Sequence, residues 1–252
     1  MKPLLGLDVG GTKIASGLID QNYKISNVLI RPTSQTNLVH QLEQIIKIYN
    51  GKFSGIGLGM PGRVLTDGTI IRLPNIPRFK KANLKNLFQK KFQVPVAVTN
   101  DAKSFALAES IFGQGKNFQK VAGVILGTGI GMGMVIDKKI FFGANGLAGE
   151  IGHFVLPNGK IFEKYFKSKR QIKNATQIKP QIAMLLNFIV RSFDPEAIIF
   201  GGSMSKIPQF EKVAKIMLKT IYHSPLKTKI FISKLPHPGI IGACIPLLRH
   251  KT

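Results

Sequence analysis

LDVGGTKIASGLID, residues 7–20, and VILGTGIGMGMVID, residues 124–137, share one layout. Each has an apolar run, a glycine turn with a threonine, a second run of small and apolar residues, and a closing aspartate. Apolar runs joined by a Gly-Gly turn predict a β-hairpin over residues 3–9 and 12–20. The second copy predicts another. Two copies so far apart in the chain predict two domains of the same topology, each offering a hairpin turn to something lying between them. The boundary is expected near Ile111–Gly113.

The rest of the chain alternates in the same style. LVHQLEQIIKIY carries apolar residues at 38, 42, 45, 46 and 49, the periodicity of an amphipathic helix. FSGIGLG and VPVAVTN read as buried strands, and AKSFALAESIF as a helix. IAMLLNFIV is helical, AIIFGG a strand ending in glycines, FEKVAKIMLKTIY a helix and IFI a short strand. GIIGACIPLLRH reads as a helix bent or interrupted by Pro246. Alternating strands and helices predict an α/β fold.

Apolar residues make up 44% of the 252, which excludes general disorder. A single cysteine, Cys244, leaves no intramolecular disulfide and no cysteine-based zinc site. MKPLLGLDVGG breaks at once into Asp8 and glycines, so it reads as a strand and lacks the form of a signal peptide. No apolar run approaches the roughly 18–20 residues that span a bilayer. The expectation is a soluble, cytoplasmic protein with no membrane partner. The charge stands out: 36 Lys and Arg against 12 acids, a net of +24. A polyanionic partner is one reading. Drift in composition is the other, because the basic residues fall in separated segments interleaved with apolar ones, as solvated helix faces do.

Glycine turns let backbone N–H groups approach a phosphate, because no Cβ intervenes. GGTK resembles the end of a Walker A loop, but the preceding frame is missing and a strand follows where a helix is required. GLGMPG satisfies G-x-G-x-x-G literally through Gly57, Gly59 and Gly62, yet RVLTDGT follows it instead of a helix, which excludes a Rossmann site. Asp8 is the informative residue of the first hairpin. A carboxylate in an apolar strand costs free energy to bury unless it is paired or faces a cation. Beside a phosphate turn that cation is expected to be Mg²⁺, held through water.

Asn100–Asp101 stands where the strand VPVAVTN gives way to a helix. Asp is among the best N-caps, and a helix N-terminus favours the ionised carboxylate. An ionised carboxylate can accept a proton from a substrate hydroxyl. Asp101 therefore reads both as a cap and as a base for an alcohol attacking a γ-phosphate, a reaction in which positioning outweighs base strength. In GEIGHFVLPNGKIFEKYF, residues 149–166, His153 lies between Glu150 and Glu163 in a chain poor in acids. The residues alone leave it open as a metal ligand, a substrate contact or core packing.

Together LGLDVGGTKIASGLID, GLGMPGRV, LPNIP, VTNDA, ILGTGIGMG, LAGEIGH and DPEAIIFGGS resemble, in order, the ROK family of sugar kinases and related repressors. NDA and GEIGH are the specific elements. The resemblance implies a two-domain actin-like ATPase fold with mixed sheets flanked by helices: residues 1–111 joined by a C-terminal helix at 240–252, and residues 112–239. It implies that Asp101 is the catalytic base, and that Asn100, Glu150 and His153 contact sugar hydroxyls, with Gly62 and Asn75 lining the pocket. Asp8, Gly10, Gly11, Thr12 and Lys13 resemble the first phosphate motif, Gly127, Thr128 and Gly129 the second, and Gly201 and Gly202 the adenosine-side turn.

Many family members also bind zinc through the His of this motif and three cysteines in a following loop. Here PNGKIFEKYFKS bridges that gap without a thiolate, so no zinc is expected. Glu163 resembles the sugar-contacting Glu that closes the lost loop. The resemblance thus implies an enzyme, glucokinase-like, moving the γ-phosphoryl of Mg·ATP to a hexose, with glucose O6 as the acceptor. Compact zinc-free members of the superfamily include kinases that use inorganic polyphosphate, the alternative donor, which would suit the +24 charge. The alternative to an enzyme is a sugar-sensing transcriptional regulator. The family's repressors carry an N-terminal helix-turn-helix, which is not expected ahead of the first hairpin here, so no specific nucleic acid is expected. The resemblance favours a homodimer.

Overall fold

The protein is described here from a computed structural model, covering residues 2–73, 79–166, 172–222 and 226–248. It divides into two compact units: residues 1–108 with 143–147 and 236–252, and residues 109–142 with 148–235. The first passage between them falls between Ala108 and Glu109, inside a helix and a few residues before Ile111–Gly113. The excursion 143–147, expected in the second domain, groups with the first.

In the first unit, β1 (Leu4–Val9) pairs antiparallel with β2 (Lys13–Ile19), and β2 with β3 (Ile25–Pro32). On its other side β1 pairs in parallel with β4 (Ile56–Met60), which pairs in parallel with β8 (Val96–Asn100). A small second sheet joins β5 (Arg63–Val64), β6 (Thr69–Arg72) and β7 (Ala82–Asn83). The helices are α1 (Leu38–Ile48), α2 (Leu84–Phe92), α3 (Asp101–Ile111) and α6 (Pro238–Leu248). In the second unit, β9 (Lys120–Leu126) pairs antiparallel with β10 (Ile130–Ile136), which pairs antiparallel with β11 (Lys139–Phe141). β9 also pairs in parallel with β12 (Ala197–Gly201), and β12 with β13 (Lys229–Ile232). Its helices are α4 (Lys179–Phe193) and α5 (Phe210–Ile221). The two five-stranded sheets have the same order and senses, as the paired glycine hairpins predict.

The period-2 alternation of β1 sets the layers of the first unit. Leu5, Leu7 and Val9 join α1 and α2 residues such as Leu42, Ile46 and Phe88 in one core. Leu4 packs on the opposite face with Ile240 and Cys244 of α6. Burial pushes the Cys244 thiol up to about 12, so it serves as a small apolar residue. Gly6 and Gly57 are register partners on β1 and β4. A Cβ at Gly6 would stand 2.6 Å from the Ile240 carbonyl oxygen, and one at Gly57 would overlap the Ala243 carbonyl. These glycines let the α6 backbone lie on the sheet, which is the role of Gly57 in the Rossmann-like GLGMPG. Pro246 lies inside α6 without ending it.

β3 and α2 have no counterpart in the sequence reading. β3 is an edge strand exposed along most of its length, so ISNVLIRP lacks a buried alternation. α2 is short, and only Leu84 and Phe88 are buried in it. Lys212, Lys215 and Lys219 of α5 are exposed, while Val213, Ala214 and Leu218 are buried, the arrangement expected of a solvated basic helix face. Among the described residues no helix is long and apolar enough to cross a membrane.

Candidate active site

The first unit assembles two clusters. At the β1–β2 turn, the Gly10 amide donates to the Lys13 carbonyl at 2.9 Å. The carbonyl oxygens of the turn are claimed from behind. Thr33 Oγ1 donates to Gly10 O at 2.7 Å and Gln35 Nε2 to Gly11 O at 3.0 Å. The Thr33 amide donates to Thr12 O at 3.1 Å. With its carbonyls so bonded, the turn leaves Thr12 and Lys13 exposed, and a glycine backbone beside a cation is chemistry that can cradle an anion. Thr33 and Gln35 are supports that sequence reading missed; both lie just past the edge strand β3, with no motif to mark them.

Asp8 follows from the same alternation as Leu4 and Gly6, which puts its carboxylate on the α6 face. There a Cβ at Gly239, in the first turn of α6, would overlap it. Burial raises the Asp8 pKa from 3.8 to about 6, and Lys13 opposes the shift. A carboxylate held this way gains from a cation. Among the described residues no group of three His, Cys, Asp or Glu could hold a metal. A lone carboxylate beside an anion cradle suits Mg²⁺, which keeps several waters and takes the rest of its ligands from phosphate.

The second cluster sits at the β8–α3 junction. Asn100, not Asp101, is the cap: its Oδ1 accepts the Lys103 amide at 3.0 Å. Its Nδ2 donates to Gly62 O at 3.0 Å, so Asn100 joins the GMPG turn to the head of α3. Met60 and Asn100 are register partners, which brings the two segments side by side, and Gly62 takes φ +78°, open to glycine. Asp101 is the first residue of α3, half-buried, with Oδ1 accepting the Ala102 amide at 2.8 Å. Asn75 lies outside the described residues.

The second unit assembles the rest. Gly127 donates to Gly129 O at 3.0 Å across the β9–β10 turn. Gly202, at φ +82°, packs so closely on the end of β9 that a Cβ would overlap Leu126 O. The Gly201–Gly202 turn therefore lies beside the Gly127–Thr128–Gly129 turn.

The spacing of GEIGH has a packing cause. Cβ atoms at Gly149 and Gly152 would overlap the carbonyls of Met132 and Ile130, alternate residues of β10. The two glycines press the segment flat on that strand and Ile151 is buried behind it. Glu150 and His153 remain partly exposed, with His153 Nε2 3.9 Å from Glu150 Oε2. Glu163 reaches the same strand: its Oε2 accepts the Ile130 amide at 3.4 Å and lies 2.7 Å from where a Gly129 Cβ would stand. Phe162 anchors it, buried and packed edge-on against Phe188 and Phe166. The Glu163 carboxylate and the backbone of the segment carrying Glu150 and His153 thus both lie against the first residues of β10.

The ROK family model matches residues 4–162, well over half of the chain. The chain belongs to the ROK family. It is 36% identical over 155 residues to the N-acetylgalactosamine kinase AgaK of Shewanella sp. (strain ANA-3), a match covering 59% of the chain and 50% of that protein. It is 33% identical over 166 residues to the glucokinase of Thermotoga maritima, covering 63% and 52%. The chain spans about half the length of the curated relatives it matches. Among solved structures, the ROK family glucokinase of Streptomyces griseus, in complex with glucose and AMPPNP, superposes with a TM-score of 0.81 at 23% identity, covering 96% and 97% of the two chains. The fold is the mixed α/β, actin-like ATPase fold of the ROK-family structures it superposes on.

Proposed function

We propose that this ROK member is a sugar kinase that moves the γ-phosphoryl group of Mg·ATP onto a hexose hydroxyl, with glucose O6 as the acceptor. The observation that carries this is Asp101 at the head of α3, beside an Asn100 whose side chain is fixed at both ends. Asp101 takes the proton of the hydroxyl as its oxygen attacks the γ-phosphorus, and the bond to the β-phosphate oxygen breaks to leave ADP. The loose transition state asks mainly for alignment. Asn100, Glu150, His153 and Glu163 orient the sugar, with Gly62 and Asn75 beside it. The turn at Gly10–Lys13 and the turns at Gly127–Gly129 and Gly201–Gly202 hold the nucleotide through backbone N–H groups. Mg²⁺ at Asp8, when bound, supplies charge neutralisation on the phosphates.

An N-acetylhexosamine is the second acceptor reading. Its support is the 36% identity to the N-acetylgalactosamine kinase, as against 33% to the glucokinase. Polyphosphate is the second donor reading, supported by the +24 charge. Initial rates for glucose, mannose, N-acetylglucosamine, N-acetylgalactosamine and N-acetylmannosamine, each with ATP and with polyphosphate, test all of these together. The proposal expects the highest kcat/KM for glucose with ATP. Absence of phosphorylation with every pair, at saturating Mg²⁺, removes it.

A further inference from the structure

Lys103 is a lysine with 2% of its surface exposed. An ammonium ion removed from water costs several kcal/mol unless it is well paired. Its Nζ donates to the Gly146 carbonyl at 3.0 Å. One residue earlier, Arg63 Nε donates to the Asn145 carbonyl at 3.2 Å. Two cations thus hold successive carbonyls of the excursion 143–147, which is otherwise largely exposed. Gly143 and Gly146 take φ of +69° and +72°, so their backbone has little preference of its own for this shape.

The position of these cations in the sequence is informative. Arg63 follows Gly62, and Lys103 is two residues beyond Asp101. The Asn100 side chain bonds both segments, to Gly62 O and to the Lys103 amide. From Leu147 the chain passes into the second unit and reaches Glu150 three residues later, then His153.

We propose that Arg63 and Lys103 are positioning residues for the sugar motif. By fixing the Asn145 and Gly146 carbonyls to the GMPG turn and the head of α3, they set where the segment carrying Glu150 and His153 begins. The inference rests on the reading of Glu150 and His153 as sugar contacts, and it predicts effects confined to the sugar.

The test uses Arg63→Ala, Arg63→Lys and Lys103→Met in the full chain, with the best acceptor of the sugar panel and ATP varied in turn. Removing a charged hydrogen-bond donor should raise the KM for sugar about tenfold while the KM for ATP stays within about twofold. Arg63→Lys, which keeps a donor, should recover most of the loss. Hydrogen exchange of the Gly146 and Ala148 amides should quicken in Arg63→Ala and Lys103→Met. Unchanged sugar KM in a folded variant, or sugar and ATP KM rising together, overturns the proposal. If Lys103→Met does not fold, the Arg63 pair decides. A wild-type chain inactive on every sugar defeats the kinase reading instead, and the exchange rates alone then judge whether the clasp exists.

Discussion

Asn100 caps the helix that Asp101 begins: its Oδ1 accepts the Lys103 amide and its Nδ2 donates to the Gly62 carbonyl, both at 3.0 Å. The two bonds can be separated by mutation. Asn100→Asp keeps the cap and loses the donor to Gly62; Asn100→Ala loses both. Loss of the cap should cost about 1 kcal/mol. We therefore expect Asn100→Ala to melt earlier by that amount and Asn100→Asp to melt closer to wild type. Both should fall in kcat/KM for sugar. Denaturant titration beside steady-state kinetics checks the pattern, and an Asn100→Asp variant with wild-type turnover contradicts it.

Asp8 should trade stability for function. Its folded pKa, about 6, lies above the ordinary 3.8, so the folded state binds the extra proton and stability falls as pH rises from about 4 to 6. Above that window the ionised carboxylate costs up to about 2–3 kcal/mol in the metal-free protein. Asp8→Asn should therefore be more stable than wild type at pH 7.5 by a part of that amount and similar at pH 4, while losing Mg²⁺-dependent activity. Unfolding curves at the two pH values in EDTA measure the difference. A variant less stable than wild type at pH 7.5 would show that the carboxylate is not held at a cost.

Gly57→Ala should be severely destabilising. The added Cβ meets the backbone of Ala243, which cannot swing aside as a side chain would, so α6 must lift from β4. Overpacking of this kind costs about 1–3 kcal/mol or more. Gly159→Ala is the control: its Cβ meets nothing within 4 Å, and only its positive φ of +75° opposes the change, by about 1 kcal/mol. Equal loss in the two variants on thermal melting would contradict the packing account.

Lys138 stands at φ +63° in the β10–β11 turn, where glycine is favoured, and its Nζ donates to the carbonyls of Ser110, Gly115, Lys116 and Phe118 at 2.7–3.4 Å. It supplies a cation to the C-terminal end of α3 and the turn beyond. Lys138→Met should lower stability by about 2–3 kcal/mol. Lys138→Gly should lose less, because the backbone is relieved. Chemical denaturation ranks the two, and a Lys138→Met variant as stable as wild type would show the carbonyls do not depend on it.

The paired hairpins were legible because each glycine turn sits between apolar runs and the pattern occurs twice. Most central strands and amphipathic helices followed from periodicity. β3 was not legible, since an exposed edge strand carries no buried face. The sequence alone points to the cap one residue late: both Asn100 and Asp101 are good caps by type, and only the parallel register of β4 with β8 shows that Asn100 also reaches Gly62. GEIGH was recognisable as a motif, but the reason for its glycines, contact with alternate carbonyls of β10, needs the strand beside it. Thr33 and Gln35 left no trace because hydrogen bonds across a sheet edge have no spacing in the sequence.

The most direct test of the whole account is Asp101→Asn, assayed for turnover and, by calorimetry, for sugar binding. The side chain keeps its size and its place at the start of α3 but cannot accept the hydroxyl proton. The account predicts a kcat about 10³-fold lower with sugar affinity retained. Turnover at the wild-type rate would contradict it.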